Sequence, residues 1–196
     1  VDPPPKPTLE YKIAVIKNNI DNIIIFKKFF MKVNIALLTV TDTRTIDNDK
    51  SGAILVKKFE EANHSLIDRK ICKDNKKDIV LILKEWLKNE KIDVIITTGG
   101  TGLTGRDITP EALDEIADKY IPGFGEIFRN ISLKTVGTSA IQSRACAILS
   151  NGKYVFALPG SSGGVTDAWE GILKHQLDVN HKPCNFVELF PRLKEK

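Results

Sequence analysis

From Val33 onward the chain moves between two hydrophobic rhythms. "VNIALLTV" (33–40) and "IDVIITT" (92–98) are short, nearly unbroken apolar runs, the pattern of strands buried on both faces of a parallel sheet. Between them the spacing turns helical. A helix from about Ser51 puts Leu55, Phe59 and Ala62 on one face, and a short strand is expected near 65–71. Ile79, Ile82, Leu83, Trp86 and Leu87 then recur at i, i+3, i+4, i+7 and i+8. Thr109-Pro110 reads as an N-cap with proline at the first helical position, and Leu113, Ile116, Ala117 and Tyr120 supply the buried stripe. "FGEIFRNI" (124–131) predicts a second, short helix. Asn151-Gly152 between "ACAILS" and "KYVFAL" suits a type I′ hairpin turn. A last helix carries Val165, Ala168, Trp169, Ile172 and Leu173 on one stripe. The predicted fold is an α/β three-layer α/β/α sandwich on a mostly parallel sheet, with one antiparallel hairpin strand.

The first thirty residues do not share this rhythm. "VDPPPKP" is a proline-rich lead. "YKIAVIKNNIDNIIIFKKFF" has the make-up of a basic amphipathic membrane-surface helix, but a poorly ordered or non-native tail fits its composition and terminal position better. Met31 is the only methionine, and a strand begins just after it. The expected organisation is therefore an extension over 1–30 and a single ligand-binding domain over 31–196.

Composition narrows the function. Hydrophobic and charged fractions of 42% and 28% are those of a soluble globular protein. The net charge is +4, but residues 1–32 hold six Lys against Asp2, Glu10 and Asp21, which leaves only +1 for the remainder. A nucleic-acid binder would concentrate positive charge on its folded body, so no nucleic-acid partner is expected. No apolar run reaches the length of a membrane span, so no membrane role is expected either. Cys72, Cys146 and Cys184 are odd in number and far apart. That spacing argues against disulfides and zinc, and for a reducing cytoplasmic compartment.

In such a sheet, ligands bind beyond the carboxyl ends of the strands. Strand one exits into Thr41-Asp42-Thr43-Arg44, strand two into Lys73-Asp74-Asn75 and strand three into Gly99-Gly100-Thr101-Gly102. If the second hairpin strand is parallel to these, Pro159-Gly160-Ser161 reaches the same rim. So does the stretch before the first hairpin strand, Thr138 to Arg144. Glycine-rich turns form anion nests because their amides approach a ligand closely. Two of them, at 99–102 and 160–162, suit a ligand with phosphates at both ends. Asp74 and Asp107 are the acids expected to face it, and carboxylates beside phosphate make sense around Mg²⁺. Other readings stay open. Asp107 fits an Asx-turn, Asp74 a solvated turn, Arg44 and Arg106 surface charges, and Ser139 and Ser143 helical caps.

"TTGGTGLTGRD" (97–107) fits neither familiar phosphate motif. Gly100-x-Gly102-x-x-Gly105 has the dinucleotide spacing, but it follows the third strand and leads into helices. As a P-loop it has Arg106 where Lys belongs and Asp107 where Ser or Thr belongs. Together, however, "TTGGTGLTGRDITPEAL", "GTSAIQSRACAI", "ALPGSS" and "QLDVNHKPCNFVELFPRL" closely resemble the MoaB/MogA family of molybdenum cofactor biosynthesis, from about Val33 to Arg192.

The resemblance implies a homotrimer or homohexamer that binds molybdopterin, a pterin dithiolene ending in a phosphate. It implies an enzyme, a Mg-ATP-dependent molybdopterin adenylyltransferase, with Mg²⁺ as cofactor and ATP and molybdopterin as substrates. The alternative is a non-catalytic molybdopterin-binding or carrier protein. Carried over by motif, Asp107 matches the family's catalytic acid and Asp74 the acid after strand two, both as Mg²⁺ ligands. Gly99, Gly100, Thr101 and Gly102 match the phosphate loop, and Ser139, Pro159, Gly160 and Ser161 the opposite wall. Asp42 and Thr43, at the strand-one exit, complete the expected substrate- and phosphate-binding set.

Overall fold

The computed structural model describes residues 31–195, so the expected extension over 1–30 and its candidate helix lie outside the described residues. In chain order the elements are β1 (Asn34–Val40), α1 (Lys50–Glu61), β2 (Ser65–Cys72), α2 (Lys76–Lys88), β3 (Val94–Thr98), α3 (Thr109–Asp114), β4 (Lys119–Tyr120) and α4 (Pro122–Val136). A 3-10 turn, Gly137–Gln142, precedes the hairpin of β5 (Cys146–Ser150) and β6 (Lys153–Leu158). After it, α5 (Ser162–Ala168) runs through a π-helical turn, Trp169–Leu173, into α6 (Lys174–Gln176).

The strands form one six-stranded sheet in the order β2-β1-β3-β6-β5-β4. β1, β2, β3 and β6 are mutually parallel, and β5 runs against both β6 and β4. The hairpin turn is as expected, with Asn151 and Gly152 at φ 46° and 70°.

Alternation along the strands builds two cores. Ile35 and Leu37 of β1 join Leu55 and Phe59 of α1, Phe128 of α4 and Trp169 on one face. Ala36, Leu38 and Val40 join Ile79, Leu83 and Trp86 of α2 and Leu113 of α3 on the other. Leu55, Phe59, Ile79 and Leu83 are fully buried, each contributing about 1.5–3 kcal/mol of transfer free energy. The three-layer sandwich is thus assembled from the helical stripes and buried runs of the sequence.

Four local features differ from expectation. Thr109 does not cap α3: its hydroxyl is buried and donates to the Gly99 carbonyl at 2.8 Å. Tyr120 lies on the short strand β4 and is exposed, because α3 ends at Asp114. α4 spans fifteen residues rather than a short 124–131 segment, since Pro122 starts it earlier and Gly137, at φ 60°, stops it. The last helix carries a π turn, which widens the helix at Trp169.

The sheet sets the position of the site. β1 leads to β2 on one side and β3 lies on the other, so the strand order reverses between β1 and β3, where open α/β sheets bind ligands. Register brings the strand ends level: Val40 sits beside Cys72, Thr39 beside Thr98, and Thr98 beside Leu158.

Candidate functional site

A cavity of about 820 Å³ opens at this rim. Every site residue expected from the sequence lines it: Asp42 and Thr43 after β1, Asp74 after β2, Gly99 through Gly102 with Asp107 after β3, Ser139 in the 3-10 turn, and Pro159, Gly160 and Ser161 after β6. Arg44 and Arg106 line it too, while Arg144 does not.

The glycine loop is held in one shape from below. Gly99 and Gly100 have φ of 103° and 64°, and a Cβ on Gly99 would fall 2.2 Å from the Val40 carbonyl oxygen. No other residue type fits there without moving β1. The Gly99 N–H donates to Leu158 O at 3.0 Å and the Gly100 carbonyl accepts from Thr109 N–H at 3.0 Å. The Thr98 hydroxyl donates to Pro159 O at 2.8 Å, which joins the two walls of the cavity at their base.

Arg144 fastens the far side of that loop. Its N–H donates to Thr101 O at 2.9 Å, its Nε–H to Gly102 O at 2.6 Å and an Nη2–H to Asp107 O at 2.8 Å, while Nη1 pairs with Glu111. The guanidinium is committed to loop carbonyls, so it is a positioning group and not a free phosphate ligand. Arg106, by contrast, is exposed and forms an ion pair with Asp42.

The two central acids differ in state. Burial would raise the Asp107 carboxyl. The Thr104 hydroxyl, the Gly102 and Thr104 N–H groups and the Arg144 charge outweigh it and hold Asp107 below the usual carboxylate range. The Thr104 hydroxyl and N–H reach Asp107 Oδ2 at 2.7 and 2.9 Å. Asp74 goes the other way: burial and the Asp107 charge push it up. Among the described residues Asp74 has no ion pair, so a cation between the two acids would relieve a repulsion already present. Among the described residues no group of three or more His, Cys, Asp and Glu gathers as a metal cage. A divalent ion here would draw its other ligands from water and substrate phosphates, the usual arrangement for Mg²⁺.

Behind the serine wall lies a buried centre that the sequence reading did not single out. Asp49 is 1% exposed and caps α1, accepting the Gly52 N–H at 2.9 Å. It also accepts from the Thr39 hydroxyl at 2.6 Å, Arg69 Nη2 at 3.0 Å and the Ser51 hydroxyl at 3.1 Å. The readable signal was a helix N-cap, Asp49 two residues before Ser51. Nothing one-dimensional marks it as buried. Also missed were Phe128, Ser132, Thr135 and Val136 of α4 and Asp167 of α5, which line the cavity as well.

The cysteines are unpaired, and Cys72 and Cys146 are half-buried. Burial pushes their thiols up to about 12 and about 11, which leaves them protonated and unreactive at neutral pH. No described helix is long and apolar enough to cross a membrane.

Residues 36–179 match the family described as "Probable molybdopterin binding domain". The chain is 42% identical over 166 residues to the molybdenum cofactor biosynthesis protein B of Escherichia coli (strain K12), covering 85% of this chain and 96% of that protein. It is 45% identical over 149 residues to the protein of the same name from Staphylococcus aureus (strain MRSA252), covering 74% and 88%. Its fold matches a crystal structure of molybdenum cofactor biosynthesis protein B with a TM-score of 0.77 and 37% identity, covering 85% of this chain and 99% of that one.

Proposed function

The chain belongs to the molybdopterin-binding MoaB/MogA family of molybdenum cofactor biosynthesis, and from that premise we propose that it is a Mg-ATP-dependent molybdopterin adenylyltransferase. The observation that carries the reading is the pairing of Asp74 and Asp107 in a cavity of about 820 Å³ walled by two glycine-containing loops.

In this reaction a phosphate oxygen of molybdopterin forms a bond to the α-phosphorus of ATP. The bond from that phosphorus to the bridging oxygen breaks, and pyrophosphate leaves. The nucleophile is already ionised, so the chain has no proton to remove; it positions two anions and lowers their repulsion. Gly100 and Thr101 offer backbone N–H groups to phosphate, those of Gly99 and Gly102 being held by Leu158 O and the Asp107 carboxylate, and Gly160 and Ser161 bound the opposite wall. Asp42 holds Arg106 at the mouth, and Thr43 and Ser139 offer hydroxyls. Asp74 and Asp107 would hold Mg²⁺, which supplies charge neutralisation to the phosphates when bound. Arg144 keeps the loop and Asp107 in place. We assign the protein to the cytoplasm and to a homotrimeric or homohexameric assembly.

One observation favours a second reading, a carrier without turnover. Oδ2 of Asp107 already accepts two hydrogen bonds from Thr104, as a purely structural loop acid would. Pyrophosphate release by the full chain with Mg-ATP, with and without molybdopterin, separates the two. Pterin-dependent release that disappears in Asp107→Asn supports transfer. Tight pterin binding with no release selects the carrier.

A further inference from the structure

Resting on the phosphate-transfer reading of this crevice, we propose that Arg44 is its phosphate-binding cation on the serine wall, aimed by the buried carboxylate of Asp49 and the carbonyl of Gly160.

The charges of the lining make such a group necessary. Asp42, Asp74, Asp107 and Asp167 face the cavity against only Arg44 and Arg106. Arg106 is spent on Asp42. A ligand carrying several phosphate charges enters this field unfavourably even with one divalent ion at Asp74 and Asp107. Arg44 is the other lining cation, and it stands on the loop after β1, between the acids and the Gly160 turn.

Its geometry is that of a prepared donor. Nη1 donates to Ser51 Oγ at 2.9 Å and to Gly160 O at 3.1 Å, and lies 3.8 Å from Asp49 Oδ1. Every recorded contact among the described residues uses that one nitrogen, and the side chain is 36% exposed. The rest of the planar fork is therefore left for an acceptor in the cavity, and a guanidinium fork matches two phosphate oxygens at once.

The cluster behind it cannot neutralise it. One buried carboxylate, Asp49, serves two guanidiniums, Arg44 and Arg69. The Thr39 and Ser51 hydroxyls and the Gly52 N–H draw on the same carboxylate. Donors outnumber acceptors here, and Arg69 Nε is buried with no hydrogen-bond partner. The group keeps a net positive charge whose exposed end is Arg44. Asp49 is the positioning residue: it touches no ligand, but it is tied to β1 through Thr39 and caps α1, which fixes the base of the Arg44 loop relative to the sheet.

The shared chemistry is a phosphate group, either the polyphosphate of the nucleotide or the terminal phosphate of the pterin. Titration calorimetry of the full chain with Mg-ATP, and separately with molybdopterin, tests this on wild type, Arg44→Gln and Arg44→Lys. Affinity for at least one ligand should fall about tenfold or more in Arg44→Gln and by less in Arg44→Lys, with the thermal midpoint unchanged because Arg44 is partly exposed. Weakening of Mg-ATP alone assigns the fork to the nucleotide, and weakening of molybdopterin alone assigns it to the pterin. Both variants binding both ligands within twofold of wild type would overturn the role of Arg44 while leaving the adenylyltransferase reading intact. A wild-type chain that binds neither ligand overturns both.

Discussion

Arg144 reaches Gly102 across forty-two positions of sequence, its Nε–H donating to the glycine carbonyl at 2.6 Å. With its bonds to Asp107 O and Thr101 O it ties the 101–107 loop to the strand that starts at Cys146. A lysine offers a point charge in place of this fork. Arg144→Lys should therefore lower stability by about 1.5–3 kcal/mol, read as the urea midpoint, and slow pyrophosphate release further than the loss of stability accounts for. An unchanged midpoint would mean that the loop needs no clamp.

Gly102 has its own constraint. A Cβ added there would lie 2.7 Å from Asp107 Oδ2. Gly102→Ala should push that carboxylate out of place while leaving the fold standing, because the contact is with a side chain at a solvent-facing rim. If the proposed transfer takes place here, a carboxylate misplaced by about 1 Å should cost about a hundredfold in rate. Gly99→Ala should behave differently and give little folded protein, since its Cβ would strike the backbone of β1. Release kinetics and soluble yield of the two variants, measured together, check both statements.

The contrast shows what the sequence could reveal. Periodicity was enough for the layers, because β1 and β3 are buried on both faces and α1 and α2 on one, and burial is what periodicity records. The rim was legible because parallel strands put all their exits at one end, and the glycine and acid spacing lay in those exits. Three things were not legible. β4 has only two residues, too few for any pattern, and exists through its pairing with Ile148 and Leu149. Thr109 looked like a cap because its neighbour is proline, yet its hydroxyl is taken by a carbonyl ten residues back. Asp49 draws Thr39, Arg69 and Arg44 from different elements, a convergence that only tertiary structure creates.

The proposed self-association has a surface to test. Leu133 and Val136 are about half exposed one turn apart on α4, and Ile141, just beyond in the 3-10 turn, is 81% exposed. Exposed apolar side chains of this size favour contact with another surface. An ammonium group placed among them would have to be buried unpaired on assembly, which costs several kcal/mol. Ile141→Lys and Val136→Lys should sediment as smaller species than wild type at equal concentration. Unchanged sedimentation of both would place the contact between copies elsewhere.

Acid stability should follow Asp49 and His64 in separate ranges. Burial holds His64 below its ordinary 6.5, against the pull of the Asp178 charge. The fold therefore favours neutral imidazole, and that contribution is full above 6.5 and lost as pH falls through the lower folded value. For Asp49, burial would raise the carboxyl, but the Thr39 hydroxyl, the Gly52 N–H, Arg69 and Ser51 outweigh it and keep it below 3.8. Its contribution is full above 3.8 and disappears only as pH falls through that lower folded value. Urea midpoints taken downward from neutral pH should decline first through the histidine range and again below 3.8. Asp49→Asn keeps the shape but leaves the mostly buried Arg69 without its counter-charge, so it should cost about 3–5 kcal/mol at neutral pH and weaken the second decline, which Asp107 shares. His64→Phe should flatten the first and spare the second. A variant that flattens the other's range would show that the buried Asp49 centre does not titrate as the structure requires.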